Sequence, residues 1–203
     1  MRPSAVRLFE IRNMKQSSSW LHAAAVYTDP RAVVLFFLGF SAGVPIMLIF
    51  SSLSLWLSEA GVSRDMVTMF SWAALAYSFK FVWAPLIDSL PLPVLGRLGW
   101  RRSWLLLSQA AVASAIVWMA MVDPAQPGAL AMMAVAAVLL GFSSATQDVV
   151  IDAYRIESAP GDAAMQSVMS ATYSAGYRIG MVLSGAGALF LAAKLGSAAD
   201  HYS

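Results

Sequence analysis

Two cations, Lys80 and Arg178, stand deep inside long apolar runs of this sequence. Measured from where those runs begin, near residues 66 and 164, each lies about 21 Å along a helix that rises about 1.5 Å per residue. A charge at that depth in hydrocarbon is costly unless a partner or a wet cavity receives it. A long side chain can also snorkel to an interface, but the depth of both residues favours a cavity.

A further apolar run carries Ser144, Asp148, Asp152 and Arg155. At 100° per residue these four fall within about 80° of one another, a single polar stripe along one helix. Asp152 is placed to pair with Arg155 one turn on. Asp148 is the freer carboxylate and can reach Lys80 or Arg178 across helices. The stripe supports two readings: an ion-pair network that fixes packing, or a gate with a proton-responsive carboxylate. Gln147 and Tyr154 form a second polar strip about 20° wide on the same helix. Tyr77 shares a face with Lys80, and Tyr173 and Tyr177 flank Arg178. Rings with a polar tip suit stacking on sugars and hydrogen bonding to peptides, and equally suit packing between helices.

These groups recognise and carry charge; bond-making chemistry has little to stand on. Cys is absent and the two histidines, His22 and His201, lie outside every apolar run, so a thiolate or imidazole metal centre is not expected. No phosphate-binding glycine loop, nucleophile elbow or zinc-protease motif occurs. The reading is therefore not an enzyme, with no metal or organic cofactor. A formal net charge of +2 gives no reason to expect nucleic acid as a partner.

The elements that hold these residues are set by composition. Hydrophobic residues make up 59% of the chain and charged ones 12%, against about 25% charged in an ordinary soluble domain. Five apolar segments, at about 31–57, 66–87, 104–122, 129–154 and 164–193, each suffice for the roughly 20 helical residues that a bilayer core requires. The expected fold is an all-α integral membrane bundle spanning residues 31–193, with lipid as its solvent. Short links at residues 58–65, 88–103, 123–128 and 157–163 make successive helices antiparallel neighbours.

Residues 1–30 read as a cytoplasmic or interfacial arm, with Asp29 capping a helix whose first-turn Pro30 needs no amide donor. With the N-terminus inside, Arg2, Arg7, Arg12, Lys15, Arg31, Arg97, Arg101, Arg102 and Arg155 fall on the cytoplasmic side, and only Arg64 and Lys194 outside. Nine against two sets that orientation and makes residues 194–203 a periplasmic tail. An odd number of spans reads as a set of helices whose partners lie elsewhere in the same gene or in a second chain. Gly-x-x-x-Gly occurs at Gly39 and Gly43 and again at Gly176 and Gly180, a sign of close helix contact. Pro45 is expected to kink the first span.

Taken together, Gly39–Pro45, Tyr77-Ser78-Phe79-Lys80-Phe81-Val82-Trp83-Ala84-Pro85-Leu86-Ile87-Asp88, Ala145-Thr146-Gln147-Asp148-Val149-Val150-Ile151-Asp152-Ala153-Tyr154-Arg155 and Gly176-Tyr177-Arg178-Ile179-Gly180-Met181 resemble the N-terminal half of AmpG-type muropeptide permeases of the major facilitator superfamily. The resemblance covers about residues 20–193. It implies import of N-acetylglucosaminyl-1,6-anhydro-N-acetylmuramyl peptides across the bacterial inner membrane, coupled to protons, with links to peptidoglycan recycling and β-lactamase induction. On matching positions it makes Lys80, Gln147, Asp148 and Arg178 cavity residues; the shared helix faces add Tyr77, Tyr173 and Tyr177 to the expected cavity. It makes Asp152 and Arg155 a cytoplasmic-end lock.

The loop after the second span fits the superfamily's Asp-Arg-x-Gly-Arg-Arg signature loosely, since Asp88 is followed by Ser89 and an insertion before Arg97-Leu98-Gly99-Trp100-Arg101-Arg102. Its position and charge make Asp88 a gating candidate beside Asp148, Asp152 and Arg155. In the mechanism this implies, Lys80 and Arg178 attract substrate carboxylates, Asp148 neutralises them when the site is empty, and one half rocks against the other. Carriers of this kind form their cavity between two halves, so these helices alone are not expected to transport. The alternatives are a major facilitator carrier of another substrate (acetyl-CoA, a drug or a simple peptide), and a non-transporting fragment or half of a split carrier.

Overall fold

A computed structural model describes residues 24–64, 70, 75–90, 99–123 and 126–195. The basic arm before residue 24, most of the first half of the second span, the loop at 91–98 and the tail from 196 lie outside the described residues. Among those described, helix is the only regular secondary structure. Helix α1 runs over Pro30–Glu59, α2 over Leu75–Phe79, α3 over Ala84–Ser89, α4 over Trp100–Ala120, α5 over Ala129–Ser158 and α6 over Ala163–Leu195. Helices α1, α4, α5 and α6 are each long and apolar enough to cross a membrane. The chain is a multi-pass, all-α membrane protein, and α2 and α3 are the described part of the remaining expected span.

Local sequence explains where these helices start and bend. Asp29 caps α1 by accepting a hydrogen bond from the Arg31 amide at 2.8 Å, and Pro30 opens the first turn. The side-chain hydrogen bond from Arg31, reinforced by that amide, holds the Asp29 carboxyl below its usual range. Pro45 sits inside α1 and contributes no amide. A π-helical segment, Leu48–Leu53, follows three residues later. The second span is interrupted where Lys80–Val82 form a 3-10 turn, and Pro85 then restarts the helix in the first turn of α3.

Two expected boundaries move outward. The 30 residues of α5 extend about 45 Å, well past a hydrocarbon core of about 30 Å. Glu157 is therefore helical, and the link expected at 157–163 shortens to a turn in which Gly161 takes φ 77°. Helix α4 begins at Trp100 instead of 104, so Arg101 and Arg102 belong to its first turn. Charged ends of this kind continue a helix into the headgroup layer, where an apolar-run criterion cannot see them.

The helices pack mainly as two pairs, α1 with α6 and α4 with α5. The first pair is in backbone contact. A methyl group built on Gly39 or Gly43 would overlap the carbonyl oxygen of Tyr173 or Tyr177, and one on Gly176 or Gly180 would overlap that of Phe36 or Phe40. The two Gly-x-x-x-Gly segments thus face each other reciprocally. One apolar core joins Ile49, Leu53 and Leu57 of α1 to Val112, Ala115 and Met119 of α4 and Met133, Ala136 and Leu140 of α5. The other, at the opposite end, gathers Leu35, Ile87, Leu105, Val150, Ile151, Met165 and Met169. Phe37, Val117, Val138, Val182 and Phe190 remain exposed, as lipid-facing side chains do. Between Leu140 and Val150, where the two cores meet on α5, polar residues take over.

Candidate functional site

Three elements bring polar side chains to this level. Tyr77 and Lys80, three residues apart, reach Ser144 and Asp148, four apart on α5. The Tyr77 hydroxyl donates to Ser144 Oγ at 2.5 Å. Lys80 forms an ion pair with Asp148. Its ammonium also lies 3.9 Å from Asp152, whose other oxygen accepts from Arg155 at 3.1 Å. From the other side, the Tyr173 hydroxyl donates to Asp148 at 2.6 Å. Tyr173 and Tyr177 can lean over Asp148 because α6 approaches α1 with glycine on both sides of the crossing.

Charge along this stripe cancels. Lys80 and Arg155 supply two positive charges, and Asp148 and Asp152 two negative ones. Arg178 is the remaining cation. It is exposed, it lines a cavity of about 550 Å³, and it has no hydrogen bond or ion pair among the described residues. Tyr77, Asp148, Tyr173, Ser174 and Tyr177 line the same cavity, and the two tyrosines of α6 stand 6.1 Å apart, centroid to centroid. A volume of this size falls within the range of small-molecule sites, about 300–1,000 Å³. The surface combines phenol faces, hydroxyls and one uncompensated guanidinium.

Of the expected cavity residues, Tyr77, Asp148, Tyr173, Tyr177 and Arg178 come together at this cavity, with Lys80 behind it on Asp148. Asp148 was open to either cation; the structure pairs it with Lys80 and leaves Arg178 to the cavity. Gln147 does not line this cavity. It is fully buried, its Nε2 donates to Ser41 Oγ of α1 at 3.0 Å, and its Oε1 has no partner among the described residues. Position 147 lies about 100° from Asp148 on the helix, which turns it toward α1. Tyr154 likewise packs against the apolar core and not the cavity.

Of the gating candidates, Asp88 lies at the end of the bundle where α1 begins. Asp88 accepts from Arg101 at 2.6 Å, and the same guanidinium donates to Glu157 at 2.6 Å. One arginine of α4 thereby joins the ends of α3 and α5. Sequence reasoning placed Asp88 and Arg101 in one basic loop that fits the signature only loosely, and it missed Glu157. Glu157 lay in an assumed loop, and its distance from Asp152 along the helix hid any relation to Asp88. At the same end the Arg31 Nη1 donates to the Ser158 carbonyl at 3.2 Å, and Trp100 and Trp104 donate to the carbonyls of Ile87 and Leu90 at 2.9 and 3.0 Å. Ser174 was also missed, although it stands four residues before Arg178 on the same helical face.

The family model described as Acetyl-coenzyme A transporter 1 matches residues 31–202. The chain belongs to this transporter family. Among curated relatives, transporter AmpG 4 of Rickettsia conorii is 41% identical over 172 residues, covering 85% of this chain and 41% of that protein. The anhydromuropeptide permease of Escherichia coli K12 is 37% identical over 169 residues, covering 83% of this chain and 33% of its own length. Transporter AmpG 3 of Rickettsia prowazekii is 36% identical over 166 residues, 81% of this chain and 39% of its length. The chain thus spans between one third and about two fifths of these relatives. The residues matched by the family model include every member of the cavity and of both ion networks.

Proposed function

We propose that this chain supplies the N-terminal helices of a carrier that imports peptidoglycan-derived anhydromuropeptides into the cytoplasm across the bacterial inner membrane. Its N-terminus is cytoplasmic, its substrate is the N-acetylglucosaminyl-1,6-anhydro-N-acetylmuramyl peptide, and uptake is coupled to protons. The protein is a carrier and not an enzyme, and it uses no cofactor beyond the coupling ion. Its partners are membrane lipid, the muropeptide and the helices that complete the fold, in the same gene product or in a second chain; nucleic acid is not among them. The imported fragments feed cell-wall recycling and the induction of β-lactamase.

The observation that carries this reading is Arg178, a cation facing a tyrosine-lined cavity with no anion assigned to it. A muropeptide offers sugar faces for the phenol rings and peptide carboxylates for the guanidinium. The relatives named for AmpG and for anhydromuropeptide permease support the same substrate class. Acetyl-CoA, suggested by the name of the family model, carries several phosphate charges. This half of the cavity answers them with a single free cation, because Lys80 is already neutralised by Asp148.

The test is uptake of labelled anhydromuropeptide into vesicles holding the complete carrier. Removing one charge-assisted contact of about 1.5–3 kcal/mol makes Arg178→Ala at least about tenfold slower at low substrate. Wild-type uptake from Arg178→Ala refutes the assignment, and transport of acetyl-CoA in its place would move the substrate class.

A further inference from the structure

Ser174 borders two cavities. Beyond the one already described, a second of about 500 Å³ lies toward the start of α6, lined by Arg155, Gln166, Ser167, Ser170, Ala171 and Ser174. The two differ in chemistry. The first is walled by phenol rings; the second has no aromatic side chain, and five of its six lining residues are polar.

Much of that polar capacity is uncommitted. The hydroxyls of Ser170 and Ser174 have no hydrogen bond among the described residues, whereas Ser167 donates to the Ala163 carbonyl at 2.9 Å. A guanidinium has five N–H donors, and Arg155 commits one of its groups, Nη2, to Asp152. Gln166 is anchored, its amide nitrogen donating to the carbonyls of Ile156 and Ala159 at 3.1 Å each. The cavity therefore presents a positioned amide, two free hydroxyls and a partly free cation. Such a set suits a ligand dense in hydroxyl and amide groups that also bears a carboxylate.

The two cavities are joined on both sides. Along α6, Ser167, Ser170, Ser174 and Arg178 follow at intervals of three and four residues, one face of the helix. From Arg178 to Ser167 the helix rises about 16 Å, roughly the length of five extended peptide residues. Beside it runs the ladder Asp148, Asp152 and Arg155 of α5, with Lys80 of the second span between the two aspartates. A ligand leaving Arg178 toward the start of α6 meets polar groups all the way.

We propose that the second cavity is a separate substrate subsite on the cytoplasmic side, where Ser170 and Ser174 receive hydroxyl or acetamido groups of the saccharide and Arg155 a carboxylate of the peptide, before release. The inference rests on the muropeptide reading above, and it gives Arg155 a ligand-binding role in addition to its pairing with Asp152.

The chain contains no cysteine, so a thiol introduced into it is unique there. In the complete carrier, Ser170→Cys and Ser174→Cys are exposed to an impermeant thiol reagent from the cytoplasmic face of inverted vesicles, with and without N-acetylglucosaminyl-anhydro-N-acetylmuramyl tetrapeptide. Substrate at ten times its dissociation constant slows modification at both positions about tenfold. Protection at position 174 alone overturns the subsite and leaves the proposed function standing. Protection at neither position removes the proposed function as well. A position 170 that never reacts, as expected if another helix covers it, also overturns the subsite. As a second readout, Ser170→Leu lowers kcat about tenfold with KM nearly unchanged, whereas Ser170→Thr retains wild-type turnover. Equal loss in both variants, or a rise in KM with kcat unchanged, contradicts an exit-side role.

Discussion

Lys80 and Asp148, 68 residues apart in the chain, form an ion pair between the broken second span and α5. The pair is half-buried, with side-chain exposures of 31% and 21%. Its worth after solvent screening is therefore modest, while leaving either charge alone in a bilayer is costly. Lys80→Ala and Asp148→Asn should each lower thermal stability in detergent by about 1–3 kcal/mol. The double variant should lose less than their sum, since neither charge is then stranded. Additive losses would show that the two residues do not interact.

The proposed proton coupling is tested at Asp148. Its two oxygens accept from Lys80 and from Tyr173, so a proton bound there cancels the charge that holds Lys80 and lets it be displaced. Asp148→Asn fixes that displaced arrangement. Uptake by the complete carrier should then stop responding to an imposed pH gradient, while exchange of bound muropeptide across the membrane continues. A gradient-driven rate equal to wild type in Asp148→Asn excludes this carboxylate as the proton site.

The glycine crossing gives a stability prediction of a different kind. Because Cβ atoms at Gly39 and Gly176 meet backbone oxygens of the opposing helix, no rotamer change can relieve the overlap. Gly176→Leu should cost about 1–3 kcal/mol and should displace Tyr173 and Tyr177, lowering substrate binding with it. Gly187, whose Cβ would meet nothing within 4 Å, is the control, and Gly187→Leu should leave both properties unchanged. Equal effects at the two positions would mean that the crossing does not position the tyrosines.

Much of this was legible in the sequence for physical reasons. A bilayer demands about 20 apolar residues per crossing, so the spans announce themselves, and helical periodicity puts Ser144, Asp148, Asp152 and Arg155 on one stripe. What could not be read depends on how one helix is rotated against another. That Asp148 takes Lys80 and leaves Arg178 follows from the α1–α6 and α2–α5 packing, to which no single-helix pattern refers. The helical extension to Ser158 and the earlier start at Trp100 escaped because both ends are charged, although they are what bring Arg101 to Glu157. The interruption at Lys80–Val82 did have a signal in Pro85.

Arg101 ties Asp88 and Glu157 together, but both carboxylates are about half exposed, so the network is screened and its static contribution is small. Arg101→Ala should cost no more than about 1 kcal/mol of stability. Its effect on transport should be larger than that figure implies, because the bond joins the ends of three helices that rocking must separate or hold. Arg101→Lys, which keeps the charge but cannot bridge two carboxylates in the same fork geometry, should restore stability and not transport. Full restoration of both by lysine would reduce the arginine to a surface charge.

Gln147 separates packing from recognition most cleanly. Its Oε1 is buried without a partner among the described residues, and its Nε2 is held by Ser41. An unmet polar atom costs about 1–3 kcal/mol when buried, so Gln147→Met, of similar volume, removes one such cost together with one hydrogen bond. Ser41 can return its own hydroxyl to the helix backbone, as serines in helices do. The expected result is a Gln147→Met carrier as stable as wild type or more so. Ser41→Ala strands the amide instead and should cost about 1–3 kcal/mol. If Gln147→Met is stable yet transports poorly, the free oxygen is kept for a conformation in which α1 moves away and the amide meets substrate; if it transports normally, position 147 is packing alone. Melting temperature and uptake, measured on the same preparations, decide between the two.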